Sequence, residues 1–364
     1  MLKFAPSRLV ATALCLMPLG CPTQSQSQNP DGSGGQDSTG ATDDGPVGTS
    51  DDDAADSGSD GTTTSAADST GDEPPAQAQC TALDRLSFDQ LLAGPPPGSI
   101  NVGDTSLSVA EVEIASVDGG LALVAIVSDT DFLVVAFDET ETPTGEVQWI
   151  TGSTVYAGPA AVDLDDATDG VVVGSSVLQQ VDGEQQVSIS ACFVVGAGSS
   201  RIELDGSIAT LDGTLGSLTF AQVEAIVDER PAIDTLVVSD VPGSINDEVN
   251  VETGRMVRAA GWSTVVPADG VIASGGVDLF CAGAARSIEP GAQLGVHSWS
   301  DGTMDGADYP PRDPAHDAQL AYFTEMLGAP TGPDFYWFTL QAAPADSIHW
   351  MTNREIETHQ LVTR

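Results

Sequence analysis

Residues 274–297 read SGGVDLFCAGAARSIEPGAQLGVH, and the organisation of the chain is clearest in this stretch. Two glycines follow Ser274 and let the chain bend sharply into a helix, predicted over about Gly275 to Ala285. Backbone N–H groups in the first turn of a helix have no partner within the helix and carry partial positive charge. A turn and a strand predicted over 292–296 then bring His297 back along the fold. We therefore expect the Ser274 hydroxyl at a helix N-terminus with the His297 imidazole nearby, the arrangement of an activated nucleophile.

Short apolar strands and helices alternate from Arg201 onward, before and after this stretch. The patterns predict strands at 201–205, 235–238 and 264–267, and helices at 219–229 and 246–260. Such alternation is typical of βαβ units with right-handed crossovers, in which chemistry lies at the C-terminal ends of the strands. The turn Gly243-Ser244, Ser274 and His297 all fall at or just after such ends.

Several short motifs in this half of the chain occur in the order that a known family has. They are Ala273-Ser274-Gly275-Gly276, Ala282-Gly283, Glu289-Pro290-Gly291, Gly295-Val296-His297 and, upstream, a strand over 233–239 that enters Val241-Pro242-Gly243-Ser244. Residues 199–364 thereby resemble the ClpP/crotonase superfamily, specifically the proteolytic subunit of Clp-type proteases and its secreted bacterial relatives. The resemblance implies an α/β fold of that type.

The resemblance also implies roles for individual residues in acyl transfer. Ser274 would be the nucleophile and His297 the general base, while N–H groups of the Gly243-Ser244 turn and Gly275 would form the oxyanion hole. The family's acid lies shortly before a segment that matches Trp350-Met351-Thr352, which points to Asp346, two residues out of register. Asp301 and Asp334 are alternatives for the acid, as are a dyad without an acid and an inactive site.

The N-terminus has the features of a bacterial export signal. Lys3 and Arg8 precede an apolar run from Leu9 to Leu19, too short to span a bilayer and typical of a signal peptide over residues 1–20. The run ends in Pro18-Leu19-Gly20-Cys21, which is similar to a lipobox. We expect lipidation of Cys21 and a lipid-anchored protein of the cell envelope, with ordinary secretion as the alternative.

The next segment, residues 21–79, is predicted to be a disordered acidic linker. From Pro22 to Gln79 the chain has 12 carboxylates, no Lys or Arg, and mostly Gly, Ser, Thr, Asp and Ala. Such a composition buries too little apolar surface to offset the entropy of ordering. A flexible chain of this length spans on the order of 40 Å, which suits a tether.

Residues 80–198 are predicted to form an all-β domain. Alternating or apolar runs of four to nine residues recur between turn residues, which favours an antiparallel sandwich-like arrangement or a barrel. This region has no His, so we interpret it as a support or binding module.

Cys80 is the first residue of the predicted all-β domain and Cys192 lies in its last strand. A disulfide between them is favoured over two free thiols. Cys281, inside the predicted helix after Ser274, is expected to pack as a small apolar side chain.

Composition excludes some classes of partner. The chain of 364 residues has 54 acidic and 11 basic residues, a formal net charge of −43, so it has no basic clusters for nucleic acid or anionic lipid. We expect no cofactor and no metal site, because the aspartate runs have no calcium-loop spacing.

Three functions remain open at this point. The first is an envelope-anchored serine hydrolase, a ClpP-like peptidase acting on a peptide or another acyl substrate. The second is a non-catalytic binding lipoprotein with a degenerate ClpP-like domain. The third is a crotonase-type acyl-CoA enzyme, which the export signal disfavours.

Overall fold

The strands and helices after Cys80 divide into a β region and an α/β region. The structure is a computed structural model, and it describes residues 80, 83–117, 120–137, 144–165, 170–301 and 304–363, which belong to one compact unit. The signal peptide, the Cys21 lipidation motif and the acidic linker lie outside the described residues, so those three expectations stay predictions.

The β region consists of one sheet with nine antiparallel strands in the order β2-β1-β9-β8-β7-β6-β5-β4-β3. These strands are β1 (Gly98–Val102), β2 (Thr105–Val109), β3 (Glu111–Val117), β4 (Gly120–Ser128), β5 (Asp131–Phe137), β6 (Thr144–Thr151), β7 (Thr154–Asp165), β8 (Gly170–Gln180) and β9 (Gln186–Val194). The two end strands of this order, β2 and β3, are separated in the chain by Ala110 alone. The sheet therefore turns back on itself in a barrel-like form, which is closer to the barrel than to the sandwich-like arrangement, the two forms that the pattern left open.

Alternate side chains along these strands fill the barrel. All nine strands contribute buried side chains to this core. The fully buried ones include Ile100, Leu133, Val147, Val173 and Phe193. This is the inward-facing half of a period-two pattern. Cys80 and Cys192, the predicted pair, are joined by a disulfide with their Cα atoms 5.0 Å apart.

The α/β region has two sheets that the chain visits in turn. The larger sheet has the order β10-β11-β12-β14-β16 and the smaller one β13-β15-β17-β18. The strands are β10 (Arg201–Asp205), β11 (Ile208–Asp212), β12 (Thr235–Val238), β13 (Asp240–Val241), β14 (Ser263–Val266), β15 (Val271–Ala273), β16 (Arg286–Ile288), β17 (Gln293–Val296) and β18 (His349–Trp350). Strands β11, β12, β14 and β16 are parallel, and so are β13, β15 and β17. From β12 to β17 the chain alternates between the sheets, so each strand added to the larger sheet is followed by one added to the smaller sheet.

Helices connect successive pairs of strands and pack on the sheets. They are α1 (Phe88–Leu92), α2 (Ser217–Glu229), α3 (Asp247–Ala259), α4 (Gly275–Cys281), α5 (Asp317–Leu327), α6 (Thr331–Ala342) and α7 (Asn353–Thr358). The shared core includes Leu236, Val238, Phe280, Tyr322 and Phe335, all fully buried. A capping box formed by Thr352 and Glu355 begins α7.

One side chain fixes the end of α4. Arg258, on α3, donates from Nε to the Ala282 carbonyl at 2.6 Å. Its Nη2 atom donates to the carbonyls of Cys281, Gly283 and Met326 at 3.1, 3.1 and 2.9 Å. The guanidinium thereby satisfies carbonyls at the C-termini of α4 and α5, a favourable place for a cation. Helix α4, which begins immediately after Ser274, is held at its far end.

Some elements differ from the sequence-based expectation. The sequence analysis did not predict some strands and helices, because turn residues interrupt many of the patterns or leave strands only two to five residues long. The strands are β1, β7, β11, β13, β15, β16 and β18, and the helices are α5 and α6. Helix α4 ends at Cys281 rather than Ala285. Helix α1 falls within the predicted all-β segment, yet Leu92 belongs to the α/β core and Gln222 of α2 donates to the Leu91 carbonyl at 2.8 Å.

Candidate functional site

Three neighbouring parallel strands of the smaller sheet end at the same edge. Gly243 lies two residues beyond β13, Ser274 directly follows β15, and His297 directly follows β17. The Ser274 N–H donates to the Gly295 carbonyl at 2.9 Å, which ties it to β17. Residues far apart in the sequence therefore meet at one strand edge. Two of the three strands, β13 and β15, are not the strands predicted at 235–238 and 264–267, which belong to the larger sheet.

Ser274 has an unusual backbone conformation. Its φ is 51° and its ψ is −127°, and among the described non-glycine residues only Gln360 shares a positive φ. A Cβ atom makes this region of φ/ψ space costly, by about 1–3 kcal/mol, so such residues persist only where surrounding structure enforces them. A strained serine between a strand and a helix presents its hydroxyl at the turn, which is the geometry of a nucleophile elbow.

A small pocket of about 40 Å³ surrounds the side chain of Ser274. Its polar lining is contributed by Asp247, Ser274, Asp278, His297 and Gln319, with Trp299, Phe323, Tyr336, Thr339 and Val296 around them. Ser274 and His297 thus face the same space. Among the hydrogen bonds of the described residues there is none between the Ser274 hydroxyl and the His297 ring.

The His297 ring is oriented by the backbone. Its Nδ1 atom lies 2.7 Å from the Ser298 carbonyl oxygen. A carbonyl oxygen only accepts, so Nδ1 carries the proton in this contact. In the neutral ring Nε2 is then unprotonated, which is the state that a general base requires.

The predicted oxyanion turn lies against Ser274. A Cβ atom on Gly243, whose φ is +155°, would be 3.3 Å from Ser274 Cβ and 3.7 Å from its Oγ. A Cβ atom on Gly275 would overlap the Ser244 side chain, so the two turns touch. Within the described backbone hydrogen bonds, the N–H groups of Ser244 and Gly275 have no acceptor. Both remain available to a developing negative charge.

Two carboxylic acids lie in the pocket with no basic residue other than His297. Desolvation raises the pKa of Asp247 above its ordinary value, although a hydrogen bond from the Ser244 hydroxyl and the charge of His297 lower it. Desolvation, followed by the charge of Asp247, raises the pKa of Asp278 well above its ordinary value. Each group favours its protonated form more than an exposed aspartic acid does.

The structure does not bring the predicted acid to His297. Asp346 is exposed in the turn before β18, and so is the alternative Asp334 in α6. The other alternative, Asp301, accepts hydrogen bonds from the Met304 N–H at 2.9 Å and the Tyr309 hydroxyl at 2.6 Å. Asp247 instead shares the Ser274 pocket with His297, whose charge lowers the pKa of Asp247.

Sequence reasoning missed Asp247 and Asp278, although weak signals were present. Ser244 and Asp247 have the spacing of a capping box at the start of a predicted helix. Asp278 follows Ser274 by four residues and lies in the first turn of α4, close along the chain to the proposed nucleophile. Neither spacing by itself distinguishes a pocket residue from a surface one.

The remaining histidines are engaged elsewhere. His349 contacts Glu355 at 3.1 Å, and the His359 ring packs 4.5 Å from the Phe338 ring. His316 is fully buried with its Nδ1 atom 2.6 Å from the Tyr336 hydroxyl.

Across the described ranges, no group of three or more His, Cys, Asp or Glu side chains is arranged to hold a metal ion. Cys281 is fully buried, and desolvation raises the pKa of its thiol.

Known proteins share this architecture at low similarity. No family model and no curated protein matches the sequence. The α/β part resembles the crotonase fold. An enoyl-CoA hydratase from Geobacillus kaustophilus HTA426 is 14% identical, with 45% of this chain and 67% of that chain covered and a TM-score of 0.31. An enoyl-CoA hydratase/carnitine racemase from Magnetospirillum magneticum is 18% identical, with 45% of this chain and 67% of that chain covered and a TM-score of 0.30. An enoyl-CoA hydratase from Bacillus anthracis is 13% identical, with 45% of this chain and 68% of that chain covered and a TM-score of 0.31. Similarity at this level says nothing about what this chain does.

The described helices are short relative to the thickness of a bilayer. None of those in the described part of the chain is both long enough and apolar enough to cross a membrane.

Proposed function

We propose that this protein is an envelope-anchored serine hydrolase, a ClpP-like peptidase that transfers an acyl group through Ser274. The observation that carries the proposal is the strained backbone of Ser274 at the junction of β15 and α4, in a pocket that it shares with His297. Strain of this kind is retained where the fold enforces it, and it clusters at active sites.

The chemistry follows from the atoms around Ser274. His297 Nε2 takes the hydroxyl proton while Ser274 Oγ attacks the carbonyl carbon of a peptide bond, and the same proton then passes to the leaving amine. The N–H groups of Ser244 and Gly275, reached through the Gly243 turn, receive the oxyanion. Water then releases the acyl group by the reverse sequence of proton transfers.

The orienting partner of His297 in this proposal is the Ser298 carbonyl, and Asp247 supplies the nearby negative charge when it is ionised. This assignment replaces Asp346, which is exposed. It predicts that Asp247→Asn slows acylation of Ser274 and that Asp346→Asn does not.

The test is covalent labelling of the whole chain with a fluorophosphonate. We expect one adduct, located by mass spectrometry on Ser274, which Ser274→Ala abolishes and His297→Ala slows at least a hundredfold. Ser347→Ala, a change at an exposed serine outside the pocket, is the matched control and should label at the parent rate. A folded protein that never forms the adduct would rule out the hydrolase.

A second candidate is a non-catalytic binding lipoprotein with a degenerate site. It is favoured by the lack of a hydrogen bond between the Ser274 hydroxyl and the His297 ring among the described residues. Catalytic contacts often tighten only when substrate binds, so labelling separates the two candidates where the geometry does not.

Envelope anchoring depends on the N-terminal motif. Cys21→Ala should release the protein from the membrane fraction into the soluble fraction of the producing bacterium. Retention of the variant in the membrane fraction would remove lipidation as the anchor.

A further inference from the structure

A second, much larger cavity lies beside the small pocket. Its volume is about 820 Å³, within the range of small-molecule and peptide subsites, whereas the pocket at Ser274 is about 40 Å³ and holds little more than water. Asp247, Trp299 and Gln319 line both spaces and so form the wall between them. A substrate that presents a bond to Ser274 therefore has room for its bulk in the larger cavity, on the other side of this wall.

The wall of the larger cavity is largely apolar. Phe220, Val249 and Val251 line it from α2 and α3. Trp299 and Tyr309 line the opposite side, with ring centroids 5.3 Å apart and both side chains half-buried. Aromatic rings bind apolar groups, and their faces also attract cations.

The charged residues of the cavity are nearly all acidic. Asp247, Glu248, Glu252 and Asp301 line it, against one basic residue, Arg255. The Arg255 guanidinium contacts Glu252 at 2.6 Å and Glu325 at 2.8 and 3.0 Å, so its charge is already matched by two carboxylates. The exposed carboxylate of Glu248 makes no ion pair among the described residues.

We propose that this cavity binds a cationic side chain of a peptide substrate, a Lys or Arg whose stem lies on the aromatic wall and whose charge faces Glu248. As a subsite of the reaction at Ser274, this inference rests on the proposed hydrolase function. It disfavours anionic acyl carriers such as acyl-CoA, whose phosphates would meet carboxylates and, among the described lining residues, no cation beyond the paired Arg255.

The experiment measures binding separately from turnover. The whole chain carrying Ser274→Ala is titrated with three acetylated peptide amides, identical except for a central Lys, norleucine or Glu, by isothermal calorimetry. One exposed ion pair gives about a two- to fivefold gain and a cation–aromatic contact at least twofold, so we expect the Lys peptide to bind about tenfold more tightly than the norleucine peptide. The Glu peptide should bind more weakly than either, and high salt should reduce the difference between Lys and Glu.

Two matched variants test whether the Lys preference arises in the cavity. Glu248→Gln should lower the Lys preference two- to fivefold, whereas Glu224→Gln, a change at an exposed position on α2 outside the cavity, should leave it unchanged. Equal affinities for the three peptides, or an undiminished Lys preference in Glu248→Gln, would overturn the inference. If Ser274 is labelled by the fluorophosphonate but the Lys preference is absent, the subsite is wrong and the hydrolase stands. If the preference is present without labelling, the hydrolase is wrong and the cavity remains a cation-selective peptide site.

Discussion

Replacing Ser274 by glycine should stabilise the protein while removing the proposed nucleophile. Ser274 adopts φ 51° and ψ −127°, a conformation that glycine reaches without the clash that a Cβ atom causes. Ser274→Ala removes the same hydroxyl but keeps the Cβ atom and therefore the strain. The difference in stability between these two inactive variants reports the strain stored at the site.

The expected magnitude follows from two opposing terms. Relief of the backbone strain is worth about 1–3 kcal/mol, and the greater freedom of glycine in the unfolded chain costs about 0.5–1 kcal/mol. Ser274→Gly should therefore be more stable than Ser274→Ala by about 0.5–2 kcal/mol. That difference corresponds to a rise in melting temperature on the order of 3 °C.

Urea unfolding followed by circular dichroism provides the measurement, with two glycine substitutions as controls. Ala260→Gly, at a residue with φ −69°, should lower the free energy of unfolding by about 0.5–1 kcal/mol. Gln360→Gly, at the other described non-glycine residue with positive φ, should raise the free energy of unfolding without changing fluorophosphonate labelling. If Ser274→Gly proves no more stable than Ser274→Ala, the backbone of Ser274 is not strained and the main support for the nucleophile is lost.

Two further predictions concern groups that hold the site in place. A carboxyl group whose pKa is higher in the folded than in the unfolded chain stabilises the fold fully only below its unfolded pKa, and that contribution is lost as pH rises through the folded pKa. Because desolvation raises the pKa of Asp278 well above its ordinary 3.8, Asp278→Asn should gain stability relative to the parent only above about pH 4 in urea titrations, and a difference independent of pH would contradict this. Arg258→Met should lower the free energy of unfolding by about 2–4 kcal/mol, because carbonyls at the ends of α4 and α5 lose a charged donor. Arg312→Met, at an exposed residue, is its control and should change the free energy of unfolding by less than about 0.5 kcal/mol in the same assay.

Local sequence patterns were sufficient for much of the α/β region. The alternation of apolar strands with helices predicted β12, α3, β14 and β17 at nearly the observed bounds, because each pattern depends on residues within a few positions of one another. The same rules were weaker for β7, where Gly158-Pro159 interrupts the pattern of a strand whose pairing shifts register with β8 between Ala157 and Val162.

The sequence by itself indicated that the Gly243 turn, Ser274 and His297 follow strand ends. It did not determine that they share one edge, nor which carboxylates line the pocket with the imidazole, because both depend on how distant segments pack and not on spacing along the chain. Asp247 lies 50 positions before His297, while Asp346, which matches the expected order of residues, is exposed. The strand order of the barrel-like sheet was likewise a tertiary result, since β1 pairs with β9 although most of the β region separates them in the sequence. Burial and long-range pairing are properties of the assembled fold, and a linear pattern encodes only the local preferences that permit them.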